Sequence, residues 1–263
     1  MSNWKSRERS SRVSQGLLQG LRVLVTRPSR GKADKWAQAL SAAGATVVLY
    51  PTIEVLAPPS WEPLDQALRQ VGSYDWIIFT SQTAVAFTAS RIDGGRFPSG
   101  RGRPRLAAVG TETARALEKA GARADLVPSD QRQEGFMEAF RDLEAGTRLL
   151  FPHAFAGRDT LIEALRGRGC QVDVVAAYQT APRSPLPPPP AFDVATFASP
   201  SALRAFVERH GTHALASKTL AVIGPTTAAE AVSHGLSPVI ADEPNIDALI
   251  SAITSARTPK GGP

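Results

Sequence analysis

A strand-and-turn pattern occurs twice in this chain, once in each half. Residues 74–81 read YDWIIFTS and residues 192–199 read FDVATFAS, while residues 106–114 read LAAVGTETA and residues 220–228 read LAVIGPTTA. Each copy is an apolar run of strand length that leads into Gly or hydroxyl residues and then into a helix-like segment. The N–H groups at the start of a helix bind anions, so the pattern predicts an anion-binding turn in each half.

The repeat belongs to a longer one, in which three strand–helix units occur twice. The first set covers residues 21–50, 74–90 and 106–127, and the second covers residues 148–177, 192–209 and 220–241. Strands that alternate with helices and have apolar runs of about four to six residues are typical of a doubly wound α/β sheet, and right-handed crossovers make its strands parallel. At 263 residues the chain is long for one core, so we expect two domains of roughly 120 residues each.

Two connectors with strand-like alternation separate the units. Residues 52–56 read TIEVL and precede a pair of prolines, and residues 178–182 read YQTAP and precede the proline-rich run 185–190. The proline run predicts a stiff, extended polyproline-II spacer. Because equivalent positions in the two halves carry equivalent connectors, the domain boundaries need not coincide with the repeat boundaries.

The two ends of the chain differ in composition from the rest. Residues 1–20 are rich in Ser and Arg and lack an apolar core, so we expect a disordered basic tail there and a flexible C-terminus at residues 257–263. A transit peptide is the alternative for the tail, and Glu8 argues against it. No apolar run reaches the roughly 18 residues of a membrane span. We therefore expect a soluble, cytoplasmic protein with no membrane partner.

The net charge of +6 points to a small polyanionic ligand. Part of the excess lies in the tail and part in the loop 91–105, where Arg alternates with Gly, Ser and Pro. We expect that loop to be a solvated insertion. A nucleic-acid surface would also need interleaved aromatic residues or a binding motif, and the sequence has neither, so no nucleic-acid partner is expected.

The sequence argues against metal and nucleotide chemistry. Cys170 has no second cysteine to pair with, and the spaced pair His210 and His213 has no third ligand nearby. No Gly-x-Gly-x-x-Gly follows the first predicted strand, and no Walker A lysine or Ser/His/Asp set stands on the strand ends. We expect no metal site, and the commonest classes of nucleotide enzyme are excluded.

Hydroxyl, Gly and Pro residues stand at the predicted carboxyl ends of the strands, where open α/β sheets bind their ligands. Any one of them is more often a helix cap than a ligand contact, but several on one rim favour a polyanion site. The candidate substrate-binding residues, including the arginine after the first strand, are Thr26, Arg27, Ser81, Gln82, Thr83, Gly110, Thr111, Thr113, Ser199, Pro200, Ser201, Gly224, Pro225, Thr226 and Thr227.

These motifs keep a specific order and spacing along the chain. They are TRP at 26–28, YPTIE at 50–54, IFTS at 78–81, VGTET at 109–113, YQT at 178–180, FASPS at 197–201 and IGPTTA at 223–228. Together, over about residues 21–255, they resemble the uroporphyrinogen-III synthase family. The tail, the Arg/Gly loop and the proline run fall outside the pattern.

The resemblance implies two flavodoxin-like α/β domains joined by a two-stranded linker, one domain being inserted in the other. On this chain the first domain would comprise residues 21–50 and 184–256, the linker strands residues 51–57 and 177–183, and the inserted domain residues 58–176.

The resemblance further implies a cofactor-free lyase of tetrapyrrole biosynthesis. Such an enzyme cyclises hydroxymethylbilane, a linear polycarboxylate, to uroporphyrinogen III with inversion of ring D and loss of water, in a cleft between the domains. Tyr178 is our candidate general acid for the leaving hydroxyl. The simpler interpretation is that Tyr178 packs the hinge. We expect a monomer that makes at most transient contact with the preceding enzyme of the pathway.

Two other functions stay open at this point. A non-catalytic two-lobed protein that binds a tetrapyrrole or another polyanion would show the same rim. A nucleic-acid-binding protein would show steeply salt-dependent binding to DNA.

Overall fold

The computed structural model describes residues 16–28, 35–95, 97, 102–129, 133–155 and 160–257. The described elements, in chain order, are β1 (Arg22–Val25), α1 (Lys35–Ala42), β2 (Thr46–Leu49), β3 (Ile53–Leu56), α2 (Glu62–Arg69), β4 (Trp76–Phe79), α3 (Gln82–Ala89), β5 (Arg105–Ala108), α4 (Thr111–Lys119), α5 (Gln133–Ala139), β6 (Arg148–Ala154), α6 (Thr160–Gly167), β7 (Gln171–Pro182), β8 (Val194–Phe197), α7 (Pro200–His210), β9 (Thr219–Val222), α8 (Pro225–Ser233), β10 (Val239–Ile240) and α9 (Ile246–Arg257). Short 3₁₀ turns occur at Val71–Ser73, Asp93–Gly95 and Thr212–Leu215.

The chain divides into two compact units. The first unit comprises residues 1–54 and 181–263, and the second comprises residues 55–180. The second unit is therefore inserted in the sequence of the first. Both divisions fall within the predicted linker segments, 51–57 and 177–183.

The sheet of the first unit has five parallel strands in the order β2-β1-β8-β9-β10. Numbered by their order along the chain within this unit, the strands run 2-1-3-4-5, which is the flavodoxin-like order. The first strand–helix unit of the sequence therefore joins the last two units in one sheet, as the resemblance implied.

The sheet of the second unit has the order β3-β7-β6-β4-β5. Strands β7, β6, β4 and β5 are parallel and lie side by side in the same way as β2, β1, β8 and β9 of the first unit. The difference is the order along the chain, because β4 and β5 here precede β6 and β7. An isolated parallel bridge between Ala107 and Leu126 continues the sheet past β5. Strand β3 is added beside β7. Two doubly wound parallel α/β sheets confirm the predicted fold class.

The continuous apolar strands are explained by burial on both faces. In β4, Ile77 and Phe79 pack into one core cluster and Trp76 and Ile78 into another. All four are nearly or fully buried. A parallel strand covered by helices on both faces has no solvent side, so it does not alternate polar and apolar residues.

The aspartate that opens each copy of the repeated motif has a structural role. Asp193 Oδ2 accepts a hydrogen bond from the backbone N–H of Arg22 at 2.9 Å, and Asp75 Oδ2 accepts one from that of Arg148 at 2.8 Å. Arg22 and Arg148 each open the strand next to the one that follows the aspartate. The duplicated aspartates thus tie neighbouring strands together at the amino edge of each sheet, away from the predicted ligand edge.

The folded part begins earlier than the predicted end of the tail at residue 20. Residues 16–20 form turns, and Leu18 is fully buried in the core with Val23 and Leu40. The backbone N–H of Leu18 also donates to the carbonyl of Ala43 at 2.9 Å. The prediction of disorder was wrong for this segment because the buried side chain of Leu18 anchors the turn to the core. Residues 1–15 and 258–263 lie outside the described residues.

The proline run is attached to the first unit, which the spacer prediction missed. Leu186 is buried, and its carbonyl accepts a hydrogen bond from Arg209 Nε at 3.1 Å. The hydroxyl of Tyr50 donates to the carbonyl of Pro187 and lies 2.6 Å from His210 Nε2. The prolines of the run lack backbone N–H donors, but carbonyls of the run serve as acceptors.

The Arg-rich loop is likewise anchored where the structure describes it. Arg91 forms an ion pair with Asp65, and Arg103 forms one with Asp125, each at 2.7 Å. Phe97 is 3% exposed and packs in the core. The expectation of a solvated insertion was therefore wrong for these residues, and residues 96 and 98–101 lie outside the described part.

We expect Leu18→Ala to lower the free energy of unfolding by about 2–5 kcal/mol, the cost of truncating a buried leucine. The matched control is Leu17→Ala, because Leu17 is 42% exposed and Leu18 is 0% exposed. The control change should stay within about 0.5 kcal/mol. Urea unfolding measures both, and equal, small effects would show that the segment lies outside the core.

Candidate anion-binding site

Each unit has a topological switch point, where the chain leaves neighbouring strands in opposite directions. In the first unit it lies between β1 and β8, and in the second it lies between β6 and β4. The carboxyl ends of parallel strands meet at one edge, and the crevice at such a point is where open α/β sheets bind ligands. Most of the predicted site residues follow these strands or the strands next to them.

The two switch points carry the same helix start. Ser81 is the N-cap of α3 and accepts a hydrogen bond from the N–H of Ala84 at 3.0 Å. Ser199 is the N-cap of α7 and accepts one from the N–H of Ala202 at 3.3 Å. Both serines have extended backbone angles, as a cap requires. The side chains of the duplicated serines therefore cap the helices. The N–H groups of each first turn that the caps do not use are available to an anion.

The next strand in each unit leads to a second kind of helix start. Gly110 is the N-cap of α4 and Gly224 is the N-cap of α8, and in the described structure no side chain caps either helix. A methyl group placed on Gly224 would meet nothing within 4 Å. Both starts therefore offer N–H groups that no side chain caps, and the start at Gly224 is also sterically open.

The predicted rim residues divide into exposed and buried groups. Gln82, Thr111, Pro225 and Thr226 are exposed, whereas Arg27, Ser81, Thr83, Gly110, Ser199, Pro200, Ser201 and Gly224 are half-buried. Thr26, Thr113 and Thr227 are buried, at 0%, 6% and 2% exposure. For example, the hydroxyl of Thr26 donates to the carbonyl of Thr196 at 2.7 Å. A buried hydroxyl has no surface to offer a ligand, and the sequence pattern alone does not distinguish the two groups.

Arg27 supplies a positive charge directly after β1. Its guanidinium lies 5.1 Å from the ring centroid of Trp36. When an arginine stacks on an aromatic ring, the N–H groups in the plane of its guanidinium can still donate hydrogen bonds. Arg27 therefore suits a carboxylate of a ligand at the first switch point.

Tyr178 lies beside the Ser81 cap in the second unit. Its hydroxyl is 3.4 Å from Ser81 Oγ, and either hydroxyl can act as the donor. Because Ser81 Oγ already accepts from Ala84, its own proton is free for Tyr178. That arrangement leaves the phenol proton of Tyr178 to be directed at a ligand. The structure thus brings together two residues that the sequence placed in separate motifs.

Phe155 also stands at this edge, and sequence reasoning missed it. It directly follows β6, the residue is 54% exposed, and its N–H donates to the carbonyl of Tyr178 at 2.7 Å. A large apolar residue directly after a strand end was the available signal. The predicted rim consisted of Gly, Pro, hydroxyl and other polar residues, and Phe155 was not among them.

The described residues contain no cluster of three or more His, Cys, Asp or Glu side chains that could hold a metal. His210 is bonded to Tyr50, and burial lowers its pKa. Burial raises the pKa of the Cys170 thiol, which suits an inert core residue. Within the same described ranges, no helix has the length and apolar character of a membrane span.

These features define a class: a two-unit, flavodoxin-like α/β protein whose sheets carry Ser-capped and Gly-capped helix starts at their carboxyl edges. The model of the family described as uroporphyrinogen-III synthase HemD matches residues 34–251. The chain belongs to this family.

Individual relatives agree with the family match. The uroporphyrinogen-III synthase of Synechococcus elongatus is 36% identical over 169 residues, which is 64% of this chain and 64% of that protein. This match thus spans a little less than two thirds of the relative's length. A putative uroporphyrinogen-III synthase of Methanothermobacter thermautotrophicus is 29% identical over 253 residues, covering 88% of this chain and 96% of its own.

Solved structures share the fold. The uroporphyrinogen-III synthetase of Helicobacter pylori superposes with a TM-score of 0.62 at 17% identity, covering 90% of this chain and 100% of its own. A mutant uroporphyrinogen III synthase of Thermus thermophilus gives a TM-score of 0.58 at 19% identity, covering 90% and 98%. At these identities the likeness shows the fold.

We expect Ser199→Ala to lower the free energy of unfolding by about 1 kcal/mol through loss of the α7 cap, while Ser199→Asp keeps the cap. The neighbouring Ser201, whose Oγ lies 3.1 Å from Ser199 Oγ, provides the matched control. Ser201→Ala should cost less than about 0.5 kcal/mol. Chemical unfolding measures all three, and an equal cost at Ser201 would contradict the assignment of the cap.

Proposed function

We propose that this chain is a lyase that cyclises hydroxymethylbilane to uroporphyrinogen III, with inversion of ring D and loss of water. The observation that carries the proposal is the match of the family model to residues 34–251. The resemblance implies that the reaction needs no cofactor. A cytoplasmic monomer with at most transient contact to the preceding enzyme remains our prediction from the sequence.

The helix starts support binding of a substrate that carries many carboxylates. One helix N-terminus favours an anion by about 0.3–1 kcal/mol when exposed and by up to about 2 kcal/mol when partly buried. A single start is too weak, so we propose that the Ser-capped and Gly-capped starts of a unit act together on the carboxylates of the substrate. The exposed side chains of Gln82, Thr111 and Thr226 and the guanidinium of Arg27 would add direct contacts. Thr26, Thr113 and Thr227 would support the rim from within.

The pair formed by Tyr178 and Ser81 supports assisted loss of water. We propose that the phenol of Tyr178 donates its proton to the hydroxyl of the substrate as the C–O bond breaks, so that water leaves and an electrophilic azafulvenium cation and a phenolate remain. The phenolate regains its proton from the substrate when ring closure releases one. Ser81 Oγ, 3.4 Å away, would donate to the phenol oxygen and stabilise it as its proton moves. The rest of the reaction, through the spiro intermediate that the family implies, is ring closure within the substrate. It needs chiefly positioning and exclusion of water.

Product analysis tests this function. Hydroxymethylbilane is supplied to the purified chain, the product is oxidised, and the type III and type I isomers are separated. We expect mainly the type III isomer with the chain and the type I isomer from spontaneous closure without it. Binding of the substrate with only the type I isomer formed would favour the non-catalytic polyanion-binding alternative.

We expect Tyr178→Phe to lower kcat about a hundredfold, at the low end of what a general acid contributes, with KM changed less than about threefold. The matched control is Tyr74→Phe in the same unit. Tyr74 donates to Asp173 at 2.8 Å, and burial together with that carboxylate raises its pKa to about 12. The control should lower stability and leave kcat unchanged. An unchanged kcat in a folded Tyr178→Phe protein would remove the acid role.

A further inference from the structure

Three aromatic rings and one guanidinium form a continuous stack in the second unit, which we name the aromatic column. The rings of Tyr178 and Phe87 have centroids 6.0 Å apart with planes at 30°. The rings of Phe87 and Trp61 are 6.1 Å apart at 27°. The guanidinium of Arg91 lies 5.0 Å from the Trp61 centroid and ends the column. The column therefore connects the candidate acid to a charged residue of the Arg-rich loop.

The Arg91 end of the column is held by an ion pair. Arg91 donates from Nε to Asp65 Oδ1 at 2.9 Å and from Nη2 to Asp65 Oδ2 at 2.7 Å. This two-point contact fixes the plane of the guanidinium, which a single hydrogen bond does not. The hydrogen bond from Arg91 also holds the pKa of Asp65 below its usual value, so the pair stays charged at neutral pH.

The Tyr178 end is fixed by helix α3 at two points. Ser81, the N-cap of α3, contacts the hydroxyl of Tyr178, and Phe87, inside the same helix, contacts its ring. Trp61, Phe87 and Tyr178 are all half-buried and pack against the core of the unit. One rigid element thus controls both where the ring lies and where its hydroxyl points.

We propose that Phe87 is a positioning residue for the reaction, which holds the ring of Tyr178 so that its phenol proton meets the leaving hydroxyl of the substrate. Trp61 and Arg91 support Phe87 from behind. The proposal rests on the proposed function. Phe87 has no polar atom on its side chain, so it acts only through the tyrosine.

Substitution of Phe87 separates positioning from binding. We expect Phe87→Leu to lower kcat about tenfold with KM within about twofold, because a small displacement of a catalytic group slows the step without weakening substrate binding. Phe87→Tyr keeps the ring and should restore kcat to within about twofold of the wild type. Phe87→Met, which conserves volume but not the ring, should behave like leucine and serves if the leucine variant folds poorly.

A matched control excludes a general effect of losing an aromatic ring. Phe97 is 3% exposed, belongs to the same core cluster, and contacts Phe79 at 5.5 Å rather than any ring of the column. Phe97→Leu should lower stability and leave kcat unchanged. An equal loss of kcat at Phe97 and Phe87 would overturn the proposal.

The double variant gives the decisive comparison. If Phe87 acts only through the phenol, adding Phe87→Leu to Tyr178→Phe should change kcat by less than about twofold. Independent, multiplying effects would overturn the proposal, and so would an unchanged kcat in Tyr178→Phe. If the wild type forms only the type I isomer, the proposed function and this inference both fail. If it forms the type III isomer and Phe87→Leu keeps its kcat, the positioning role alone fails.

Discussion

The structure depends on the unsatisfied N–H groups at the start of each helix that follows a parallel strand. Because the strands of a sheet are parallel, their carboxyl ends and the following helix starts lie at one edge. In both units this edge carries a Ser-capped helix and, one strand further, a Gly-capped helix. In the Ser-capped helix a side chain bonds one N–H group of the first turn, whereas in the Gly-capped helix no side chain does. The repeat in the sequence gives each unit one helix of each kind.

The same repeat ties each sheet together at the other edge. Asp75 and Asp193 stand before the strand, and Ser81 and Ser199 stand after it, so one motif ties neighbouring strands at one edge and caps the helix at the proposed ligand edge. This division explains how a weak, short pattern carries both fold and function. It also explains why a chain without metal-ligand clusters or nucleotide motifs in its sequence can still present a polar site.

The fold was predictable from the sequence because apolar runs, Gly stops and the order of repeats directly reflect burial and parallel pairing. The solvent accessibility of individual side chains was not predictable from the sequence. Thr113 and Thr226 both stand near a helix start in a polar pattern, yet Thr113 is buried and Thr226 is exposed. Leu18, Phe155 and the Arg91–Asp65 pair were missed for a related reason, since each depends on contacts distant in sequence. Contacts of this kind leave no periodic signal along the chain.

The central claim is that the helix starts at the carboxyl edges of the sheets bind a polycarboxylate. Amide resonances of the ¹⁵N-labelled chain, followed by NMR during titration with uroporphyrinogen III, test it most directly. The account predicts perturbed amides at residues 82–83, 111–113, 201 and 226–227, whose N–H groups are not used by the caps, and unperturbed amides at the amino edges around Arg22 and Arg148. Perturbation centred on the amino edges, or absent from every one of these helix starts, would contradict it.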